Sequence, residues 1–156
     1  MIKAIFFDLD GTLLSHTTRC IPQDTVQALR KLRDKGIRIF MATGRHSLTR
    51  QEETGFEKYI PDGCRFARWC DNGVDIISDQ GGKAEGIKYF CNLYGIPQNE
   101  IMAFGDAEND IDMLKTAEIG VAMENGGDCV RKIADYVTSG VDDDGIGKAL
   151  RYFHII

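Results

Sequence analysis

The chain has 156 residues, 43% hydrophobic and 28% charged, which suits one compact domain and leaves little for a second unit with its own core. The formal net charge of -5 argues against nucleic acid as the main partner, because binding a phosphate backbone needs clustered Lys and Arg. No apolar run is long enough for a membrane helix, and the five cysteines are scattered without a CxxC pair and read as reduced thiols, so a cytoplasmic protein without a membrane partner is expected.

The first predicted strand is Ile2 to Asp8, apolar at nearly every position until Asp8, as a central strand buried on both faces should be. Pro22 then opens a helix with Val26, Leu29 and Leu32 on one side, and Gly36 after Lys35 stops it. A second strand, Ile37 to Ala42, follows. Between Arg45 and Lys83 the pattern is weaker: a helix through the fifties, then short strands Phe66 to Trp69 and Val74 to Ser78 joined by the turn residues Asp71, Asn72 and Gly73. The alternation resumes with a helix Lys83 to Tyr94, a strand Ile101 to Gly105, a helix around Ile111 and Leu114, and a strand Gly120 to Met123. A helix around Val130 and Ile133, a short strand Asp135 to Thr138 and a closing helix Gly145 to Phe153 complete the chain. This order predicts an α/β fold, a Rossmann-like three-layer sandwich with a mostly parallel central sheet and a single domain over residues 1–156.

In open parallel sheets sites form beyond the carboxyl ends of strands, and three strand ends here are polar: Asp8 to Thr12, Thr43-Gly44-Arg45, and Gly105 to Asp110. Asp8 and Asp10 leave a buried strand two residues apart, and paired carboxylates that close repel each other unless a cation or a shared proton intervenes. Asp106 adds a third hard oxygen donor. Magnesium suits such a set, since it takes a few carboxylates, keeps waters and binds substrate phosphate oxygens. A carboxylate there can attack phosphorus to give an acyl phosphate that water hydrolyses, a role assigned to Asp8, with Asp10 as general acid and base. Thr43 and Lys83 supply the donors and second charge that a phosphoryl group needs.

These segments, Asp8 to Thr12, Thr43, Lys83 and the Gly105-Asp106-x-x-Asn109-Asp110 run, resemble the four ordered motifs of the haloacid dehalogenase superfamily. The half from Lys83 onwards, with Met113-Leu114, Gly120 to Met123, Ala134 to Thr138 and Asp144-Gly145, is similar to the Cof-type (subfamily IIB) sugar-phosphate phosphatases. The resemblance implies Asp8 as nucleophile, Asp10 as acid and base, and Thr43, Gly44, Lys83 and Asn109 around the phosphate. It implies Asp8, the Asp10 carbonyl and Asp106 as magnesium ligands, with Asp110 supporting the metal shell or Lys83, and Leu13 to Ile21 as a mobile flap.

Cof-type enzymes carry a large cap between the motifs at Arg45 and the lysine, where only 37 residues stand here. Residues 46–82 therefore read as the remnant of a cap that is otherwise absent. The expected substrate is a small phosphorylated metabolite such as a sugar phosphate, with a homo-oligomer covering the open site. The rival readings are a phosphotransferase of the same fold and a non-catalytic assembly module. Asp142 to Asp144 read as a solvated loop; His16, His46 and His154 are too scattered for a zinc site.

Overall fold

A computed structural model describes residues 1–42, 64–70, 73–78 and 81–156, the two middle stretches as backbone only. Five parallel strands form one sheet in the order β2-β1-β5-β6-β7, made of β1 (Ala4–Phe7), β2 (Arg38–Met41), β5 (Ile101–Gly105), β6 (Ile119–Met123) and β7 (Tyr136–Thr138). β3 (Cys64–Cys70) and β4 (Gly73–Ser78) pair antiparallel in a separate hairpin, with Phe66 opposite Ile76 and an irregularity between Arg68 and Cys70. The predicted helix through the fifties lies outside the described residues.

The residues of β1 and β5 alternate between two apolar layers, which is why both strands read as unbroken hydrophobic runs. Ile5, Phe7, Met102, Phe104, Val121 and Met123 face one core. That core is closed by α1 (Gln23–Asp34) and α5 (Gly145–Tyr152) through Ala28, Leu32, Ile146, Ala149 and Leu150. Ala4, Phe6, Ile101, Ala103 and Ala122 face the other core, covered by α2 (Lys83–Tyr94), α3 (Ile111–Thr116) and α4 (Asp128–Ile133) through Ile87, Cys91, Met113, Leu114 and Val130. The result is the helix–sheet–helix sandwich expected for this order.

Two local readings change. On α1 the buried side is Thr25, Ala28 and Leu32, with Val26 only half-buried, because the helix turns its 25-28-32 row towards the sheet. In the Leu13 to Ile21 segment, Leu13 and Ser15 are buried, and the Ser15 Oγ accepts the Thr17 and Thr18 N–H groups at 3.1 Å each. The exposed part of the expected flap begins at His16.

The strand order places the site. The chain leaves β1 for β2 on one side and later inserts β5 on the other, so the order reverses between β1 and β5, where open sheets leave a crevice. The Phe7 and Phe104 rings stack at 4.9 Å directly beneath that point. Phe104→Ala should destabilise the protein by about 3–5 kcal/mol in urea unfolding, and a loss near zero would mean that the two strand ends are not tied by this pair.

Candidate active site

β1 and β5 carry their acids to adjacent strand ends. Phe7 pairs with Phe104, and the Asp8 N–H donates to the Phe104 carbonyl at 3.0 Å, so Asp8 extends the ladder by one residue before the chain turns away. The turn depends on Gly11, at φ +83°: a Cβ there would collide with the Asp106 carboxylate. Leu13 and Leu14 N–H both donate to the Leu9 carbonyl, at 3.0 and 2.7 Å, and close the loop. The Thr12 hydroxyl donates to Asp106 Oδ1 at 3.3 Å, joining the first loop to the end of β5.

Asp110 is fully buried at the start of α3. Its Oδ2 accepts the Asp106 and Ala107 N–H groups at 3.0 Å each, which wraps the loop after β5 around it. Gly105 makes this fit possible, since a Cβ there would lie 2.5 Å from that of Asp110. The other oxygen, Oδ1, accepts the Lys83 ammonium at 2.5 Å, and the same ammonium donates to Asp8 Oδ1. Lys83 is the first residue of α2, so the helix enters the site with its charged side chain.

Ligand oxygens of Asp8, Asp106 and Asp110 lie within 4.8 Å of one another, all three residues buried, with one ammonium among them. Burial pushes the Asp8 carboxyl up to about 7, with the Asp110 charge adding to the effect and Lys83 opposing it. Burial likewise pushes Asp106 up to about 8, with repulsion from Asp8 and Asp110 contributing and the Thr12 hydroxyl opposing it. Burial works to lower Lys83, but the Asp110 and Asp8 carboxylates outweigh it and hold the ammonium above its ordinary range. Two buried acids driven towards neutrality mark a cluster short of positive charge among the described residues. A divalent cation bound by hard oxygens fits this donor set.

Of the residues singled out in the sequence, Asp8, Lys83, Asp106 and Asp110 converge. Asp10 is half-buried and forms a bridge with Leu14 on the same loop; its carboxylate is not part of the three-acid cluster. Asn109 lies on the short turn Glu108–Asp110, its buried Oδ1 without a hydrogen-bond partner among the described residues. Thr43 and Gly44 lie outside the described residues. Two contributors were not picked out: the hydroxyl of Thr12 and the amide of Asn125, whose Nδ2 donates to the Gly11 carbonyl at 2.8 Å. Extending the strand-end rule to β6 would have pointed at Asn125; Thr12 was quoted within the first motif without a role.

The sequence profile of the haloacid dehalogenase-like hydrolases matches this chain in two segments, residues 5–54 and 46–150. A 5-amino-6-(5-phospho-D-ribitylamino)uracil phosphatase of Bacillus subtilis is 41% identical over 83 residues, 53% of this chain and 31% of its own length. A phosphoglycolate phosphatase of Methanothermobacter thermautotrophicus is 28% identical over 151 residues, 97% of this chain and 54% of its own length. The chain thus covers well under two thirds of either relative. Among solved structures, a haloacid dehalogenase subclass IIB sugar phosphatase superposes with a TM-score of 0.87 at 27% identity, over 99% of this chain and 100% of that one.

The cluster yields two stability predictions of opposite sign. Asp110→Ala leaves the buried Lys83 and two N–H groups short of partners and should cost about 3–5 kcal/mol in chemical denaturation. Asp8 and Asp106 have folded pKa values raised above the ordinary 3.8, so the stability they contribute is complete below that value and is lost as pH rises through about 7 to 8. Metal-free Asp106→Asn should therefore be more stable than the native chain at pH 8, by about 1–3 kcal/mol, with the difference vanishing near pH 4. A native chain already more stable at pH 8 than the variant would contradict this picture of the cluster.

Proposed function

Because this chain belongs to the haloacid dehalogenase-like hydrolases, we propose that it is a magnesium-dependent phosphomonoester phosphatase working through an aspartyl-phosphate on Asp8. The observation that carries the reading is the meeting of Asp8, Asp106, Asp110 and Lys83 at the reversal point of the sheet. A triad of acids with one ammonium suits neither a structural ion pair nor an apolar ligand. It suits a cation and a phosphoryl group together.

Asp8, the Asp10 carbonyl and Asp106 would hold magnesium. When bound, the ion supplies the positive charge that keeps Asp8 ionised and draws phosphate oxygens into the site. The Asp8 carboxylate attacks phosphorus and the bond to the leaving oxygen breaks, while Asp10 gives that oxygen a proton. Water then attacks the phosphorus of the acyl phosphate, Asp10 takes the water's proton, and the bond between phosphorus and the Asp8 oxygen breaks to release phosphate. Lys83 balances charge on the equatorial oxygens, Thr43 and Gly44 bind the same oxygens, and Asn109 presents its amide to them. Asp110 orients Lys83 by the hydrogen bond it already makes.

The substrate class we favour is a small phosphorylated metabolite such as a sugar phosphate. The phosphatases among the relatives and the subclass IIB neighbour support this. The family profile matches in two pieces that meet at residues 46–54, which supports reading one domain whose cap between residues 46 and 82 is reduced to a remnant. With so little cap, a second copy of the chain would cover the site in a cytoplasmic homo-oligomer. No described helix is long and apolar enough to cross a membrane.

Hydrolysis of an aryl phosphate with and without magnesium tests the reading. The native chain should turn over only with magnesium, and Asp8→Asn should lose about a thousand-fold or more in kcat while keeping its fold. Equal turnover by the two proteins, or turnover indifferent to magnesium, would overturn the proposal.

A further inference from the structure

The segment after β6 touches both acid-bearing loops, and the mechanism above gives it no role. Asn125 is exposed, yet both ends of its amide are engaged: Nδ2 donates to the Gly11 carbonyl at 2.8 Å and Oδ1 accepts the Val141 N–H at 2.8 Å. Two residues on, the Gly127 N–H donates to the Asp106 carbonyl at 2.9 Å. One short stretch thus holds the loop after β1 by a side chain and the loop after β5 by its backbone.

Gly11 is a point where a small displacement has consequences. Its Cα faces the Asp106 carboxylate with no space for a methyl group, Asp10 precedes it, and the hydroxyl of the following Thr12 donates to Asp106. A peptide free to rotate at this place would move all three relations at once. The Asn125 amide is the side chain that fixes its carbonyl, and Val141 fixes the amide in turn. Because the side chain is exposed, its loss leaves water to satisfy the freed groups, so the fold has little need of it.

Resting on the phosphatase reading, we propose that Asn125 is a positioning residue for that reaction: by holding the Gly11–Thr12 peptide it sets Asp10 and Asp106 relative to Asp8. Its amide bonds to the Gly11 carbonyl and the Val141 N–H. Groups that orient reacting residues in this way change turnover more than binding.

The experiment compares the native chain with Asn125→Ala and Asn125→Asp on an aryl phosphate with magnesium, reading kcat, KM and Tm separately. Asn125→Asp keeps the size and the acceptor for Val141 and loses the donor to Gly11. Both variants should lose about 10- to 100-fold in kcat, with KM within about threefold. Tm should stay within about 3 °C of the native value. Native kcat in either variant overturns the inference, as does a lowered Tm whose loss of folded protein accounts for the whole fall in activity. An inactive native chain defeats the phosphatase reading and this one with it, whereas an active native chain with unimpaired variants defeats this one alone.

Discussion

Among the described residues, three carboxylates share the mouth of the sheet with a single ammonium. Lys83 bridges Asp8 and Asp110 and leaves Asp106 with a hydroxyl from Thr12 as its counterpart. Such an arrangement is expensive in a buried site, since charges drawn out of water must be repaid by partners with good geometry. The cluster is only partly compensated, and the upward displacement of Asp8 and Asp106 is the consequence. Acids displaced in this way are concentrated at functional sites.

The fold serves that crowding. β1 and β5 are buried on both faces and stack Phe7 on Phe104, so the two strand ends sit on an apolar floor that excludes water from below. Above it, Gly11 and Gly105 remove the side chains that would hold the acidic loops apart. Asp110 then closes the loop after β5 through two backbone N–H groups, which leaves one of its oxygens to orient Lys83. The contacts of Lys83 with Asp8 and of Thr12 with Asp106 are short in space and 75 and 94 positions long in sequence, and the adjacency of β1 and β5 in the sheet brings those segments together.

That distinction also explains what the sequence disclosed. The strands and their carboxyl-end acids were legible because unbroken apolar runs mark central parallel strands and the polar residues follow them directly. Lys83 was legible through the resemblance, whereas helical periodicity alone would have left it on the surface. Val26 is only half-buried, because the pattern counted hydrophobic residues and the helix turns Thr25 and Ala28 further inward. Asn125 was missed because the strand-end rule stopped short of β6, and its bond to Gly11, 114 positions away, leaves no periodic trace. The expected phosphate-binding pair Thr43 and Gly44 was legible through the motif and lies outside the described residues.

The central claim is that Asp8 becomes phosphorylated. The most direct measurement is a rapid acid quench during turnover, borohydride reduction of any acyl phosphate, and peptide sequencing by mass spectrometry. The account predicts homoserine at position 8 and at no other acid, in an amount that depends on substrate and magnesium. Homoserine at Asp10 or Asp106, or turnover with no reducible acyl phosphate on the chain, would contradict it.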